Sequence, residues 1–181
     1  MIFPIILLYL VRFCCCYQPD VKYVVNMDSQ MECCDEESKE YVDVSNTAVT
    51  RYNESITYMT GQIKFLKDVG DDTMLEITLH KEASGKYELM FMHEIPNLCD
   101  EVMKGDDSNY YTYIKYFGIP DKCPFAAGEY EIKEFVMDTD EVPLNSNTAG
   151  RYQARLNLYK KQDVSREYMF CINIKLVVEM E

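Results

Sequence analysis

The sequence predicts a mainly β protein, built as an antiparallel two-sheet sandwich or cup. Long stretches alternate apolar and polar residues, and such alternation is typical of strands with one buried and one wet face. Glycine, aspartate and asparagine signal turns between these stretches, at the short spacing of antiparallel sheets. The length of 181 residues suits one domain with a sizeable core.

The first half of the chain supplies several of these strands. Thr73–Lys81 places Leu75, Ile77 and Leu79 on one face and His80 on the other, wet face. Lys86–His93 does the same with Tyr87, Leu89 and Phe91, and KEASGK between the two stretches predicts a hairpin with Gly85 at a positive φ. Earlier extended stretches are Tyr41–Tyr58 and Gly61–Val69, which holds Ile63 and Phe65.

The second half supplies three more strands, at Glu129–Met137, Arg151–Lys160 and Glu167–Glu179. The last has the longest alternation in the chain, with Phe170, Ile172 and Ile174 among its apolar positions. These are expected to be sheet strands with one wet face.

The stretch Ile95–Phe117 breaks the β pattern. A first short helix is expected from Asn97, a favourable N-cap, to Gly105. A second would place Tyr110, Tyr113, Ile114 and Phe117 on one apolar face and end at Gly118. That face either packs on a sheet as ordinary core or closes the mouth of a cavity, and the two roles are compatible.

The first residues predict a secretory signal peptide. MIFPIILLYLV is apolar over eleven residues, too short for a bilayer span, which needs about 20 residues. We expect cleavage after Cys16 and a single domain over residues 17–181, with a signal anchor as the alternative. No second apolar run of spanning length follows, so we expect a secreted, extracellular protein without an integral membrane segment.

Five of the eight cysteines follow the predicted cleavage site, and an odd number leaves one thiol free or intermolecular. We expect Cys99 to pair with Cys123, and Cys34 or its neighbour Cys33 to pair with Cys171. A sequon begins at Asn53, which either carries a glycan or stays unmodified.

Charge and motif content exclude several classes of function. The net charge of −13 disfavours nucleic acid and anionic membranes as partners. Metal binding is not expected, because the chain has no Cys-x-x-Cys pair and His80 and His93 stand alone. The rival class is an enzyme such as a glycosidase, but no nucleophile motif is present and the abundant carboxylates are typical of solvated loops. We therefore expect no catalytic residues and no cofactor.

Three stretches of the sequence together resemble a known family. They are IPNLCDEV, the aromatic YYTYIKYFG, and CPFAAGEYEIKEFVMDTDEVPLNSNTAGRYQARLNLYKK, with Cys123-Pro124, Gly128, Tyr130, Pro143 and Gly150-Arg151-Tyr152 as its main positions. Their order, over residues 41–180, resembles a domain of unknown function that is widespread in insects and includes secreted chemosensory proteins. That domain is similar to the ML lipid-recognition superfamily, which includes the ganglioside activator protein.

The resemblance implies an apolar cavity between the sheets that binds a lipid or another hydrophobic small molecule without catalysis, as in chemosensation or pheromone perception. A receptor protein is an implied partner. The alternative is a protein-interaction sandwich without a ligand cavity, which the odd cysteine and exposed sheet edges would serve. The candidate cavity residues are Phe65, Leu75, Ile77, Leu79, Leu89, Phe91, Tyr113, Ile114, Phe117, Ile132, Phe135, Leu156, Phe170, Ile172 and Ile174.

Overall fold

The computed structural model describes residues 21–53, 55–70, 72–137 and 143–181, so the predicted signal peptide lies outside the described residues. The prediction of a mainly β protein with two antiparallel sheets is confirmed. The strands are β1 Tyr23–Met27, β2 Glu32–Cys33, β3 Val42–Asp43, β4 Thr47–Arg51, β5 Thr57–Phe65, β6 Thr73–Ala83, β7 Lys86–Ile95, β8 Gly128–Phe135, β9 Gly150–Lys161 and β10 Arg166–Met180. The helices are α1 Leu98–Met103 and α2 Tyr111–Ile114, with 3₁₀ turns at Glu37–Glu40, Gly105–Asp107 and Lys115–Phe117.

The large sheet has the strand order β1–β10–β9–β6–β7, and β2 also pairs with β10. Strand β9 occupies one side of β10 along nearly its whole length, so β1 and β2 share the other side. The large sheet is therefore five strands wide, with β7 at one edge. The β6–β7 hairpin turns through Ser84 and Gly85, both at positive φ, as expected for Gly85.

The small sheet is built around β5. Strands β3 and β4 pair with successive parts of β5, and β8 pairs with a stretch of β5 that overlaps both. Because of that overlap, β8 lies on the opposite side of β5 from β3 and β4. The small sheet is therefore only three strands wide, with β8 at one edge.

Hydrogen bonds join the two sheets on the β1 side. The Thr57 backbone N–H donates to Asn26 Oδ1 at 2.8 Å, and the Met27 N–H donates to Thr57 Oγ1 at 2.9 Å. A little further along the chain, the Met31 N–H donates to Thr47 Oγ1 at 3.1 Å. These contacts hold β1 and the β1–β2 connection of the large sheet against β5 and β4 of the small sheet. The two sheets are thus joined on this side, and β7 and β8 form their edges on the other.

One hydrophobic core lies between the sheets. The Phe65 ring is at its centre, with ring centroids of Phe125, Tyr130 and Phe170 at 5.8, 5.6 and 6.0 Å. Such tilted aromatic contacts add to the gain from burying apolar surface. The β4–β5 hairpin brings its chains so close that a Cβ on Gly61, which has φ +118°, would lie 2.0 Å from the Asn46 carbonyl oxygen.

The prediction that the chain forms disulfide bonds is confirmed. Cys34 is bonded to Cys171 and Cys99 to Cys123, and Cys33 is the free cysteine among the described residues. None of the helices in the described ranges is long and apolar enough to cross a bilayer.

The structure corrects the alternation expected for β7. Met90 has no partner on β6 and forms a β-bulge, because His80 lies opposite Leu89 while Leu79 lies opposite Phe91. Residues directly opposite each other in a sheet share a face, so Leu89 and Tyr87 lie on the outer face and Phe91 on the inner face. Because of the one extra residue, the side chains of β7 after Met90 lie on the opposite face from the one that simple alternation predicts relative to Tyr87 and Leu89.

The outer face of β6 is also less wet than expected. Glu76 and Thr78 are buried there. Arg166 Nη1 donates to Glu76 Oε2 at 3.2 Å and Asn157 Nδ2 donates to Glu76 Oε1 at 3.3 Å. Long polar side chains from β9 and β10 cover this part of the sheet, which alternation alone does not reveal.

Candidate ligand site at the open side of the sheets

The open side of the molecule is the side where β7 and β8 form the edges of the two sheets. The large sheet is five strands wide and the small sheet three, so strands cannot cover the inner face of β6 and β7. Residues 97–123, which we call the bridging segment, connect the two edges and lie over this gap.

The bridging segment is tied down at both ends. Asn97 Oδ1 accepts hydrogen bonds from the Cys99 and Asp100 N–H groups and so caps α1. The Cys99–Cys123 disulfide joins the start of the segment to its end, with a Cα–Cα distance of 5.6 Å. Just beyond, the Phe125 backbone forms two hydrogen bonds with Val69, at 3.0 and 3.1 Å.

The middle of the segment touches both sheets. On the large sheet, the Tyr110 hydroxyl contacts His93 Nε2, and the two ring centroids are 5.6 Å apart. On the small sheet, the rings of Tyr116 and Phe117 lie 5.8 and 5.1 Å from the ring of Phe135. Gly118 ends this stretch with φ +61°, and its position leaves no room for a Cβ beside the Glu131 backbone. Aromatic side chains therefore close the open side.

The candidate cavity residues divide into three groups by burial. Those buried in the core between the sheets are Phe65, Ile132, Phe135, Phe170, Ile172 and Ile174. Those half-buried toward the open side or along the centre of the large sheet are Leu75, Ile77, Leu79, Ile114, Phe117 and Leu156. Those exposed are Leu89, Phe91 and Tyr113. The structure thus brings most of them to one inner surface, but Leu89 lies on the opposite face because of the bulge.

The inner face becomes progressively less covered toward β7. Leu79 on β6 is half-buried, and Phe91 opposite it on β7 is 54% exposed. The Phe91 ring stacks on His93, with centroids 6.2 Å apart, and His93 in turn contacts Tyr110. The result is an apolar strip that runs from the core to the surface beside the bridging segment. Its chemistry suits an apolar ligand, because its exposed side chains offer contact area and few polar groups.

Two surface grooves lie elsewhere and are lined mostly by polar residues. One, of about 640 Å³, is lined by β1, β4 and the end of β10, and includes Arg51 and the Arg151–Asp28 ion pair at 2.9 Å. The other, of about 490 Å³, lies on the small sheet beside Gln62, Glu131 and Lys133. Neither groove matches the predicted apolar cavity.

The other potentially reactive or modifiable side chains, those of Ser38, Cys33 and Asn53, are buried or take part in hydrogen bonds. Ser38 Oγ contacts Asp35 Oδ1 at 2.7 Å and accepts from the Cys171 N–H at 2.8 Å, so this network holds the 3₁₀ turn Glu37–Glu40 over a disulfide. Burial raises the pKa of the free Cys33 thiol, which makes it a poor nucleophile. Asn53 is exposed, and its Oδ1 accepts from the Ser55 N–H at 2.8 Å. Within the described ranges, no group of three or more His, Cys, Asp or Glu side chains could hold a metal ion.

The contact between His93 and Tyr110 is not predictable from the sequence. They are 17 residues apart and lie on a strand and on the bridging segment, so no local pattern joins them. In comparisons with known proteins, no protein-family model matches the chain, and the search of curated proteins finds no match.

Proposed function

We propose that this protein is a secreted, non-enzymatic binder of a lipid or another hydrophobic small molecule, with chemosensation as its setting. The observation that carries this proposal is the apolar strip from Leu79 to Phe91, which leaves the core at the open side and reaches the surface beside the bridging segment, with no strand over it. A ligand would enter here, beneath Tyr110.

Energetics support a ligand of this class. Burial of hydrocarbon contributes about 0.8 kcal/mol per CH₂, so a long acyl chain gains roughly 10 kcal/mol before the costs of association. The core is filled by Phe65, Phe135 and Phe170 in this structure, so binding requires the side chains at the open side to move apart. The middle of the bridging segment is held by a few side-chain contacts and is better suited to such movement than a hydrogen-bonded strand.

The test is native mass spectrometry of the protein from a secretory host, followed by solvent extraction and titration with a fluorescent fatty acid. We expect a co-purified apolar molecule or uptake of the probe. Phe91→Glu should weaken probe binding about tenfold, because it places a charge within the apolar strip. Tyr52→Glu is the matched control, since Tyr52 is 72% exposed on the β4–β5 turn. A clean apo mass without probe uptake, or equal binding by the two variants, would overturn the proposal.

A second candidate function is a protein-interaction module. It is favoured by the edge strand β7, where four successive apolar residues, Leu89–Met92, are exposed. An interaction module needs no small-molecule ligand, so the fatty-acid titration neither supports nor contradicts this second function.

A further inference from the structure

The β7 edge of the large sheet combines an unpaired backbone with exposed apolar side chains, which is rare in soluble proteins. Within the described ranges, no strand pairs with its outer side. Leu89, Met90, Phe91 and Met92 are 56%, 62%, 54% and 58% exposed, and they cover both faces of the strand. Native sheet edges are normally protected by charges, proline or a covering element, because unpaired backbone groups next to apolar side chains recruit another strand.

We propose that β7 pairs antiparallel with β7 of a second copy of this chain, so that the large sheets of two molecules form one continuous sheet. Such an interface is twofold symmetric, and each residue then faces its counterpart across the axis. The proposal stands independently of the ligand proposed above.

The bulged strand is symmetric in the way this pairing needs. It has nine positions paired with β6, and Phe91 is the central one, with four positions on each side. Pairing about Phe91 places Leu89 opposite Met92 of the second copy, and both lie on the outer face. It places Glu88 opposite the second copy's His93, and both lie on the inner face. The two Met90 bulges meet beside the axis.

The side-chain chemistry selects this register. Apolar Leu89 faces apolar Met92, the Glu88 carboxylate faces the His93 imidazole, and Tyr87 faces Glu94, so no like charges are opposed. Other registers that keep every side chain on its face slide the second strand by two paired positions. In one direction this slide puts Leu89 opposite the Glu94 carboxylate. In the other direction it puts the Glu88 carboxylate opposite Phe91. Both alternatives bring a carboxylate against an apolar side chain within the pairing and are disfavoured. In the proposed register the one such pair is Lys86 with Ile95, at the end of the strand, where the long, exposed Lys86 side chain keeps its charge in solvent.

The overall charge opposes association, and it therefore determines how dimerisation depends on ionic strength. Two molecules of net charge −13 repel each other, and salt screens that repulsion. The fraction of dimer should therefore increase with ionic strength, whereas an interface held mainly by surface ion pairs would weaken.

The test is sedimentation velocity of the protein over about a hundredfold range of concentration, where mass action converts monomer to dimer. We expect a dimer whose dissociation constant rises about tenfold or more in Leu89→Glu and in Met92→Lys, since each introduces a charge opposite an apolar side chain. Val164→Glu is the control, because Val164 is fully exposed in the β9–β10 turn.

The double variant Leu89→Glu with Met92→Lys tests the register itself. Only in the proposed register do the introduced carboxylate and ammonium face each other across the axis, so the double variant should recover most of the lost affinity. A monomer at every concentration would overturn the proposal. A double variant no better than the single ones, or single variants that behave like Val164→Glu, would also overturn it.

Discussion

The rings of Tyr110 and His93 lie 5.6 Å apart, and the Tyr110 hydroxyl contacts His93 Nε2. This pair joins the middle of the bridging segment to the edge strand of the large sheet. On the other side, Phe117 packs on Phe135 of the small sheet at 5.1 Å. The bridging segment is therefore held between two sheets whose strands do not meet on this side. Its polar attachment to β7 is the contact most readily removed without disturbing the core.

Tyr110→Phe should make the open side easier to open. A typical hydrogen bond contributes about 0.5–1.5 kcal/mol, so its loss should speed the uptake of a fluorescent fatty acid about 2- to 10-fold in stopped-flow measurements. Tyr130→Phe is the control, because the Tyr130 hydroxyl donates to the Ala126 carbonyl at 2.7 Å, outside the bridging segment. Equal uptake rates in the two variants would show that the His93 contact does not limit entry.

The sequence predicts β6, β9 and β10 of the large sheet well, but not the short strands β1 and β2, and there is a physical reason for the success. In β10 the apolar positions Phe170, Ile172 and Ile174 are all buried, because one face of this central strand packs on the core along most of its length. The Gly85 turn was equally predictable, since a two-residue hairpin requires positive φ.

What escaped prediction depends on neighbours that are distant in sequence. The bulge at Met90 is an irregularity of pairing with β6, and the alternation of β7 carries no trace of it. Glu76 is buried because Arg166 and Asn157 reach it from β10 and β9, 90 and 81 residues away. The contact of His93 with Tyr110 also joins residues of different elements. The sequence therefore predicts apolar residues of the candidate site but not the contact that closes it.

Gly61→Ala should be severely destabilising. A Cβ at this position would lie 2.0 Å from the Asn46 carbonyl oxygen, a backbone atom that cannot move away, and the φ of +118° is unfavourable for any L side chain. We expect a loss of about 3 kcal/mol or more in the free energy of unfolding, measured with urea. Gly85→Ala is the matched control: its φ is +77°, but nothing lies within 4 Å of the added Cβ. It should lose only about 1 kcal/mol.

The two disulfides should differ in their contribution to stability. Cys34–Cys171 has a sequence separation of 137 residues and Cys99–Cys123 one of 24. In the chain-entropy model these contribute about 5 and about 3.5 kcal/mol. We expect the double Cys→Ser variant of the longer loop to be the less stable in urea unfolding. The comparison belongs in a Cys33→Ser background, because otherwise the free Cys33 thiol could exchange with the disulfide that remains. A larger loss for the shorter loop would contradict this ordering.

The Asp35–Ser38–Tyr168 network should make stability depend on pH at both extremes. Burial, together with the hydrogen bond to Asp35, raises the pKa of Tyr168 to about 12, although the Ser38 contact acts in the opposite direction. An unfolded tyrosine has a pKa of about 10, so the folded chain holds this proton more tightly. The stability from Tyr168 is thus fully present below pH 10 and is lost as the pH rises from about 10 to about 12.

Asp35 has the opposite dependence. Burial alone would raise its pKa, but hydrogen bonds from Tyr168, at 2.7 Å, and from Ser38 lower it below the usual value. Its contribution is therefore present above the ordinary pKa of about 3.9 and is lost as the pH falls through the lowered value.

Tyr168→Phe should flatten both ends of the stability curve, because it removes the titrating phenol and one donor to Asp35. The measurement is urea unfolding from acid to alkaline pH, in a Cys33→Ser background that prevents thiol exchange at high pH. Tyr52→Phe, with its ring 72% exposed, should keep the shape of the parent curve. If Tyr168→Phe loses stability above pH 10 as steeply as its parent, the alkaline loss comes from other groups and Tyr168 does not control it.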